Sequence, residues 1–570
     1  MKKAALILAS IFVVVTLIVF WKLGHSGPRT AAELLPSTTI ALIEAPDLPA
    51  TLAHWNESAL GKLSKEPEVA AFLQRPLSRL YETSGLLRNT MSFAVATDLL
   101  SKIQPGRFFA ALEAQEKGSC WIAGCQFFGQ SKFMEEGLYR MTQGLDTRLG
   151  TSTETLLNAQ EHHGELIKKR TYPSFVLYSA IHGHWCFVSN DLGALQTTLD
   201  LSTHSLLRDS KAGQPQALEK LALYAKNRHH LFLQGDIFCY LREHPNIESI
   251  PYISSLLEEE ELLKLAQASG ASFRFTSTGL EERLFFSGDF NTQESISHEG
   301  IKLTEATTLG FIERLAGWQE VLEKLKTTRS ISPVLASLLS NVDLNLVGLT
   351  DFLKPEMIFS IDWLTSSILP TFLLAAPEDN SEKSAHWLDQ AARELGTSLQ
   401  ASDQNDLLLF SMSTITPSIE PAFASANGLF FISSHASTIM QKSNRSPGMP
   451  TLEANPEFSK NKSLYDATNE AFFYFDSKEI FTRIYSLARP SLLLGGNMFP
   501  QAKGMIDFSR LPSTALVRKY LTPIVIAQSH EQDGFLVQSS GPLCATPLYF
   551  LGKILYQYFM LKKETVANAT

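Results

Sequence analysis

The chain has 570 residues, 44% of them hydrophobic and 19% charged, with a formal net charge of −9. A chain this long exceeds what one hydrophobic core supports, and it divides into roughly three or four domain-sized units or two large ones. No block of Lys and Arg forms a basic stripe, which argues against a nucleic-acid partner.

Lys2 and Lys3 precede an uncharged apolar run, Ala4 to Trp21, closed by Lys22 and a Gly/Pro/Ser stretch through Pro28. At 1.5 Å rise per residue, a run of that length comes close to spanning a hydrocarbon core of ~30 Å. Cleaved signal peptides have shorter apolar regions, so the run reads as an uncleaved signal-anchor, with a cut after Ser26 as the alternative. The positive tail stays cytoplasmic. The expected localisation is the inner membrane, single-pass, with the bulk of the chain on the periplasmic side. No Cys follows the run, which argues against a lipid-modified anchor.

Beyond the linker, a strand is expected at Thr39–Glu44. Asp47 or Thr51 can cap a helix toward Leu63, and Pro67 suits the first turn of another reaching Leu80. Strands follow at Met91–Thr97, Arg107–Ala114 and Cys120–Phe127, then a helix over Ser131–Gln143 with a counterpart at Ser381–Leu395. Phe175–Ser179 and Trp185–Ser189 read as a hairpin, and its counterpart carries Asn427-Gly428 at the turn, a strong hairpin signal. Leu231–Leu233 and Phe472–Tyr474 read as strands, each followed by an aspartate, Asp236 or Asp476. Two more hairpins pair Ala271–Phe275 with Arg283–Phe286 and Ile524–Ala527 with Phe535–Gln538. The stretch Leu548–Leu561 has a helical pattern too short to cross a membrane, and Lys562–Thr570 reads as a tail.

Many of these elements recur. Thr38-Thr39-Ile40-Ala41-Leu42-Ile43-Glu44 returns as Thr307-Thr308-Leu309-Gly310-Phe311-Ile312-Glu313, Thr97-Asp98-Leu99-Leu100 as Thr350-Asp351-Phe352-Leu353, and Cys186-Phe187-Val188-Ser189 as Phe430-Phe431-Ile432-Ser433. Matches in constant order and near-constant spacing point to one fold used in tandem. Hairpins impose antiparallel pairing, so the expected class is α+β. Two tandem, internally duplicated domains of antiparallel sheets and helices follow an N-terminal transmembrane helix. The expected divisions are 1–30 for the tip, anchor and linker, 31–295 and 296–545 for the repeats, and 546–570 for a docking helix and tail.

The string Leu35-Pro36-Ser37-Thr38-Thr39, then Pro46-Asp47-Leu48, Ser58-Ala59-Leu60-Gly61-Lys62-Leu63 and Pro67-Glu68-Val69-Ala70-Ala71-Phe72-Leu73 resembles an uncharacterised bacterial family of exported envelope proteins, known as a domain of unknown function. The likeness is specific over about residues 34–75. It implies an envelope location and the duplicated layout, and it transfers no site residue.

Motifs for chemistry are sparse. The five cysteines are Cys120, Cys125, Cys186, Cys239 and Cys544; Cys120 and Cys125 lie five apart on a strand and face opposite ways, so they read as small buried apolar side chains. His162-His163 near Glu165, His182-Gly183-His184 and His229-His230 gather six histidines, but three convergent metal ligands cannot be named, and the Gly183 site reads as a turn. Ser459 and Lys462 form an isolated Ser-x-x-Lys, His530-Glu531 lacks the second histidine of a zinc-protease helix, and Glu258–Glu261 reads as an exposed helix face. No catalytic, cofactor-binding or metal-ligating residue is therefore assigned, and no cofactor is expected. The expected function is a non-catalytic binding or assembly role in the cell envelope. Its partners are the membrane, through the N-terminal helix, and an envelope protein or lipid. Two alternatives are a carrier of apolar ligands, with some of the 36 Phe residues lining a groove, and a hydrolase whose site is assembled from distant residues.

Overall fold

The computed structural model describes residues 30–74, 93–115, 118–150, 153–157, 162, 164–204, 216–243, 266–290, 294–315, 317–318, 346–363, 367, 369–394, 396–397, 400–402, 407–412, 420–444, 448–494 and 507–546. The described residues of Met1–Ser277, Arg283–Asp289 and Gly496–Arg510 form one compact unit. Those of Thr278–Glu282, Phe290–Gly495 and Leu511–Thr570 form a second.

The first unit opens with the short helix α1 (Ala31–Leu34) and strand β1 (Thr39–Ala45). Along β1, Ile40, Leu42 and Glu44 are buried while Ile43 is half exposed, the period of two that a strand with one core face requires. Asp47 caps α2 (Leu48–Glu57) by accepting from Ala50 N at 2.9 Å, and Ser58 caps α3 (Ala59–Lys65) by accepting from Gly61 N at 3.0 Å. Helix α4 (Phe93–Ile103) leads into β2 (Pro105–Gln115) and β3 (Gly118–Phe127), and α5 (Ser131–Leu149) follows. Then come β4 (Thr153–Leu157), β5 (Ile167–Thr171), β6 (Val176–His182), β7 (Trp185–Ser189), α6 (Leu192–His204), α7 (Ala222–His230), β8 (Ile237–Arg242), β9 (Ala268–Thr276) and β10 (Gly279–Ser287), of which the residues from Arg283 on belong to this unit. The pairing runs β4-β5-β6-β7-β3-β2-β1-β8-β9, antiparallel at each step. Gly183, with φ of 57°, takes the first position of the two-residue turn joining β6 to β7, a conformation glycine adopts without strain.

The second unit contains α8 (Gly300–Leu303), β11 (Gly310–Leu315), β12 (Glu356–Asp362), β13 (Thr371–Pro377), α9 (Ser381–Glu394), β14 (Gln400–Ser402), β15 (Leu407–Ser411), β16 (Ala422–Ala426) and β17 (Leu429–Ser433). Next are α10 (Ala436–Ser443), α11 (Pro456–Ser459), α12 (Lys462–Ala467), β18 (Ala471–Phe475), α13 (Ser477–Leu494), α14 (Thr514–Arg518), β19 (Ile524–Glu531) and β20 (Gly534–Gly541). Its strands pair in the order β14-β15-β16-β17-β13-β12-β11-β18-β19-β20, again antiparallel. Each unit places a buried glutamate on its β1 or β11 strand. Glu44 Oε1 accepts from Ala31 N at 3.1 Å, and Glu313 Oε1 accepts from Gly300 N at 3.0 Å.

Several expectations are corrected. The described chain is sheet-rich, and no helix among the described residues is long and apolar enough to cross a membrane. Among the described residues this corrects the α+β reading headed by a transmembrane helix, and the single-pass inner-membrane location that rested on that helix finds no support there. The longest described helices are unsuited for a physical reason: α13 carries Lys478, Glu479, Arg483 and Arg489, and α5 carries Lys132, Glu135, Glu136, Arg140 and Asp146 among others. The run Ala4–Trp21, on which the anchor rested, lies outside the described residues, as do Glu258–Glu261, His163 and Leu548–Leu561. Of the strand expected at Met91–Thr97, the described part, from Phe93, is instead the start of α4. Leu99 and Ile103, four apart and both buried, set a helical period that the apolar run Phe93–Ala96 alone does not reveal. The strand expected at Leu231–Leu233 lies on the other side of Asp236, as β8, because α7 continues to His230.

Candidate functional site: an apolar groove in the first unit

The central strands of the first unit present one face to helices α4 and α5. Strand register aligns Ile181, Cys186, Cys125 and Phe108 in one row across β6, β7, β3 and β2. The neighbouring row holds Ser179, Val188, Ala123 and Ala110. Residues directly opposite in antiparallel pairs share a face, so these rows form a floor of mostly small side chains. Above it, α5 places Met134, Gly137, Leu138 and Met141 at i, i+3, i+4 and i+7, one face of a helix, and α4 contributes Leu99, Leu100 and Ile103. Leu99, Ile103, Phe127, Met134 and Cys186 pack into one cluster.

Between the helices and the floor lies a groove of about 390 Å³, open on one side. Binding sites for small ligands occupy roughly 300–1,000 Å³, so the volume is of the right order. Among the described residues, no charged side chain lines it. Leu100 and Phe108 are exposed at its mouth, at 54% and 42%. Cys125 and Cys186 face each other across β3 and β7, both free thiols. Burial pushes Cys125 up to about 11 and Cys186 up to about 12, the latter helped by Cys125. Both therefore stay protonated near neutrality and line the groove as small apolar groups rather than as nucleophiles.

The second unit shows what the same scaffold looks like when this space is filled. Phe127 N donates to His184 O in the first unit, and Glu378 N donates to Gly428 O in the second. This sets the pair Cys125–Cys186 against Ala376–Phe430. Helices α5 and α9 start at Ser131 and Ser381, so the seventh residue is Gly137 in one and Trp387 in the other. Gly129 N donates to Ile103 O, and Asp379 N donates to Phe352 O. Phe352, Trp387 and Phe430 are buried and meet edge to face, Phe430 lying 5.4 Å from Phe352 and 5.6 Å from Trp387. Three aromatic rings thus occupy the region that Ile103, Gly137 and Cys186 leave open. A Cβ added at Gly137 would lie 3.2 Å from Ile103 Cδ1, a contact a flexible side chain can relieve.

The histidines singled out in the sequence are dispersed. His182 Nδ1 lies 2.7 Å from Glu165 Oε1, a pairing that the strand order brings together. His184 sits at the turn against Phe127, and His230 stacks on Phe285 at 3.9 Å. Among the described residues, no group of three or more His, Cys, Asp or Glu is placed to hold a metal ion. Ser459 donates to the carbonyls of Glu453 and Asn455, while Lys462 pairs with Glu453 and Asp466, so the Ser-x-x-Lys is a solvated helix start. His530 pairs with Glu470 at 3.2 Å. Two features escaped the sequence reading: the facing cysteines, which are sixty-one positions apart (186 − 125), and the His54–Asp236 contact of 2.7 Å. Both depend on strand order, which composition does not encode.

Buried carboxylates form a second class of perturbed groups. Burial, aided by Asp191, pushes Glu113 up to about 8. Glu313 is raised by burial, with the nearby Glu356 adding to the effect, while Tyr465 Oη donates to its Oε2 at 2.5 Å. Glu356 in turn accepts from both the backbone and the hydroxyl of Ser297, at 2.9 Å each. Glu313 and Glu356 are tied to backbone at the start of the second unit, whereas Glu113 lies on β2 of the first, and none of the three lines the groove.

No protein-family model matches the chain, and no curated protein matches it. Solved structures that resemble it include two crystal forms of TP0453. Form III is 10% identical over 46% of this chain and 81% of that chain, with a TM-score of 0.24. Form IV is 11% identical over 45% and 79%, with a TM-score of 0.25. Scores of that size carry no argument about fold or function.

Proposed function

We propose that the first unit is a non-catalytic binding module for an apolar ligand, an alkyl or acyl chain such as a lipid supplies. The observation that carries this is the open groove lined by Leu99, Ile103, Met134, Leu138, Cys125 and Cys186, in a space that the second unit closes with three rings. An open apolar slot exposes surface to water, and each methylene moved into it gains about 0.8 kcal/mol. Methionines suit such a wall because their flexible side chains adapt to differing ligand shapes. The protonated thiols and the lack of charge disfavour chemistry there.

Titration of the full chain with a fluorescent alkyl probe, displaced by unlabelled dodecanol, tests the reading. Saturable binding of one probe per chain is expected, abolished in Gly137→Trp, which places in the first unit the ring that Trp387 places in the second. Absence of saturable binding, or undiminished binding in a folded Gly137→Trp, overturns it.

A further inference from the structure

A smaller cavity of about 180 Å³ adjoins the groove at Leu138, which lines both. Its character is different: Glu135, Glu165, Lys168 and Ser179 line it alongside Ile181. Strand register explains the change. Lys168 lies opposite Ser179 on β5 and β6, and Ser179 lies opposite Val188 on β7. The row that begins Lys168–Ser179 at one end therefore runs on through Val188 to Ala123, so the floor passes from polar to apolar along a single line of cross-strand neighbours. The same gradient appears on α5, where Glu135 stands one turn from Leu138 and beside Met134.

We infer that this pocket receives the polar end of the ligand, and that this end is cationic: the ligand class is a single-chain alkylammonium amphiphile. The inference rests on the groove reading above. Two carboxylates, Glu135 and Glu165, and one ammonium, Lys168, line the pocket, with the His182 imidazole beside Glu165; while that imidazole is neutral, a positive head group meets net attraction and a carboxylate or phosphate head group meets net repulsion. Glu165 is held in place by His182 Nδ1 at 2.7 Å through Oε1, and its backbone N donates to His162 O at 3.0 Å. A positioned carboxylate loses less freedom on meeting a cation than a mobile one. Ser179 is buried and lines the smaller cavity, while Val188, opposite it on β7, lines the groove.

The test uses three probes of equal chain length below their micelle concentrations: dodecyltrimethylammonium, dodecanol and dodecanoate, each competing with the fluorescent alkyl probe on the full chain. The cation should bind roughly tenfold more tightly than dodecanoate, the size expected for a partly exposed charge cluster acting with opposite sign on the two probes. The double variant Glu135→Gln/Glu165→Gln should bring that ratio close to one. Dodecanoate binding as tightly as the cation overturns the head-group assignment and leaves the groove standing, as does a ratio unchanged in a variant whose circular dichroism matches the parent. Failure of all three probes to bind overturns both readings.

Discussion

Replacing Phe430 by Cys converts the filled space of the second unit toward the open one of the first. Phe430 is fully buried and touches Phe352 and Trp387 edge to face, with ring centroids 5.4 and 5.6 Å away. Truncating a buried Phe to Ala costs about 3–5 kcal/mol, and the two aromatic pairs contribute about 0.5–1.5 kcal/mol each beyond area. A cysteine retains one heavy atom more than alanine, so a loss of about 3 kcal/mol is expected. With a urea dependence of about 2 kcal/mol per molar, the midpoint of the second unit's unfolding should fall by roughly 1.5 M. Tryptophan fluorescence, in a background where Trp55, Trp121 and Trp185 of the first unit are replaced by Phe, reports the second unit, and the transition should be followed alongside far-ultraviolet circular dichroism. The vacated space should then take up apolar probe, raising stoichiometry from one to two per chain. A midpoint shift below roughly 0.3 M would show that the rings are not closely packed, and the contrast between the two units would lose its force.

Gly137→Trp should stabilise the first unit by about 1–2 kcal/mol through burial of ring area and removal of a mid-helix glycine, measured by thermal unfolding without ligand; a destabilised variant would mean that the groove is too shallow to seat the ring. Burial pushes the Glu113 carboxyl up from the ordinary 4.5 to about 8 in the folded state, so the folded state holds the extra proton between those values. Stability from this group is fully present below pH 4.5 and is lost as pH rises through 8; Glu113→Gln should flatten that slope, and an unchanged slope in urea titrations at pH 5 and 8 would contradict the assignment. Tyr465→Phe removes the donor to Glu313 Oε2 and should cost about 1–3 kcal/mol, with the loss growing as pH rises because the carboxylate loses a bond that favours its charged form. The five thiols should give identical electrophoretic mobility with and without reductant; a shift would point to a bridge between Cys125 and Cys186.

Local signals were legible in the chain where a backbone requirement selects the residue. Asn427-Gly428 marked its hairpin, and both residues adopt positive φ, 53° and 74°, as that turn demands. Of the two cap candidates, Asp47 and Thr51, Asp47 is the one that starts α2, its side chain accepting from Ala50 N. Buried helices and buried strands were harder to separate. The run at Phe93–Ala96 has no polar residue to reveal its period, and only Leu99 and Ile103 downstream distinguish α4 from a strand. The groove itself was not legible. Its floor comes from β2, β3, β6 and β7, and each contributing residue is unremarkable on its own strand. What marks the site is a deficit of volume at Gly137 and Cys186 relative to Trp387 and Phe430. That deficit becomes visible only when register fixes which residues correspond.

The most direct test of the account is photo-crosslinking of the full chain with a diazirine-bearing alkyl probe, read by peptide mass spectrometry. The groove predicts saturable labelling confined to the segments carrying Leu99–Ile103, Met134–Met141 and Cys186–Val188, competed by unlabelled dodecanol. Labelling spread over both units, or centred on Phe352, Trp387 and Phe430, would contradict it.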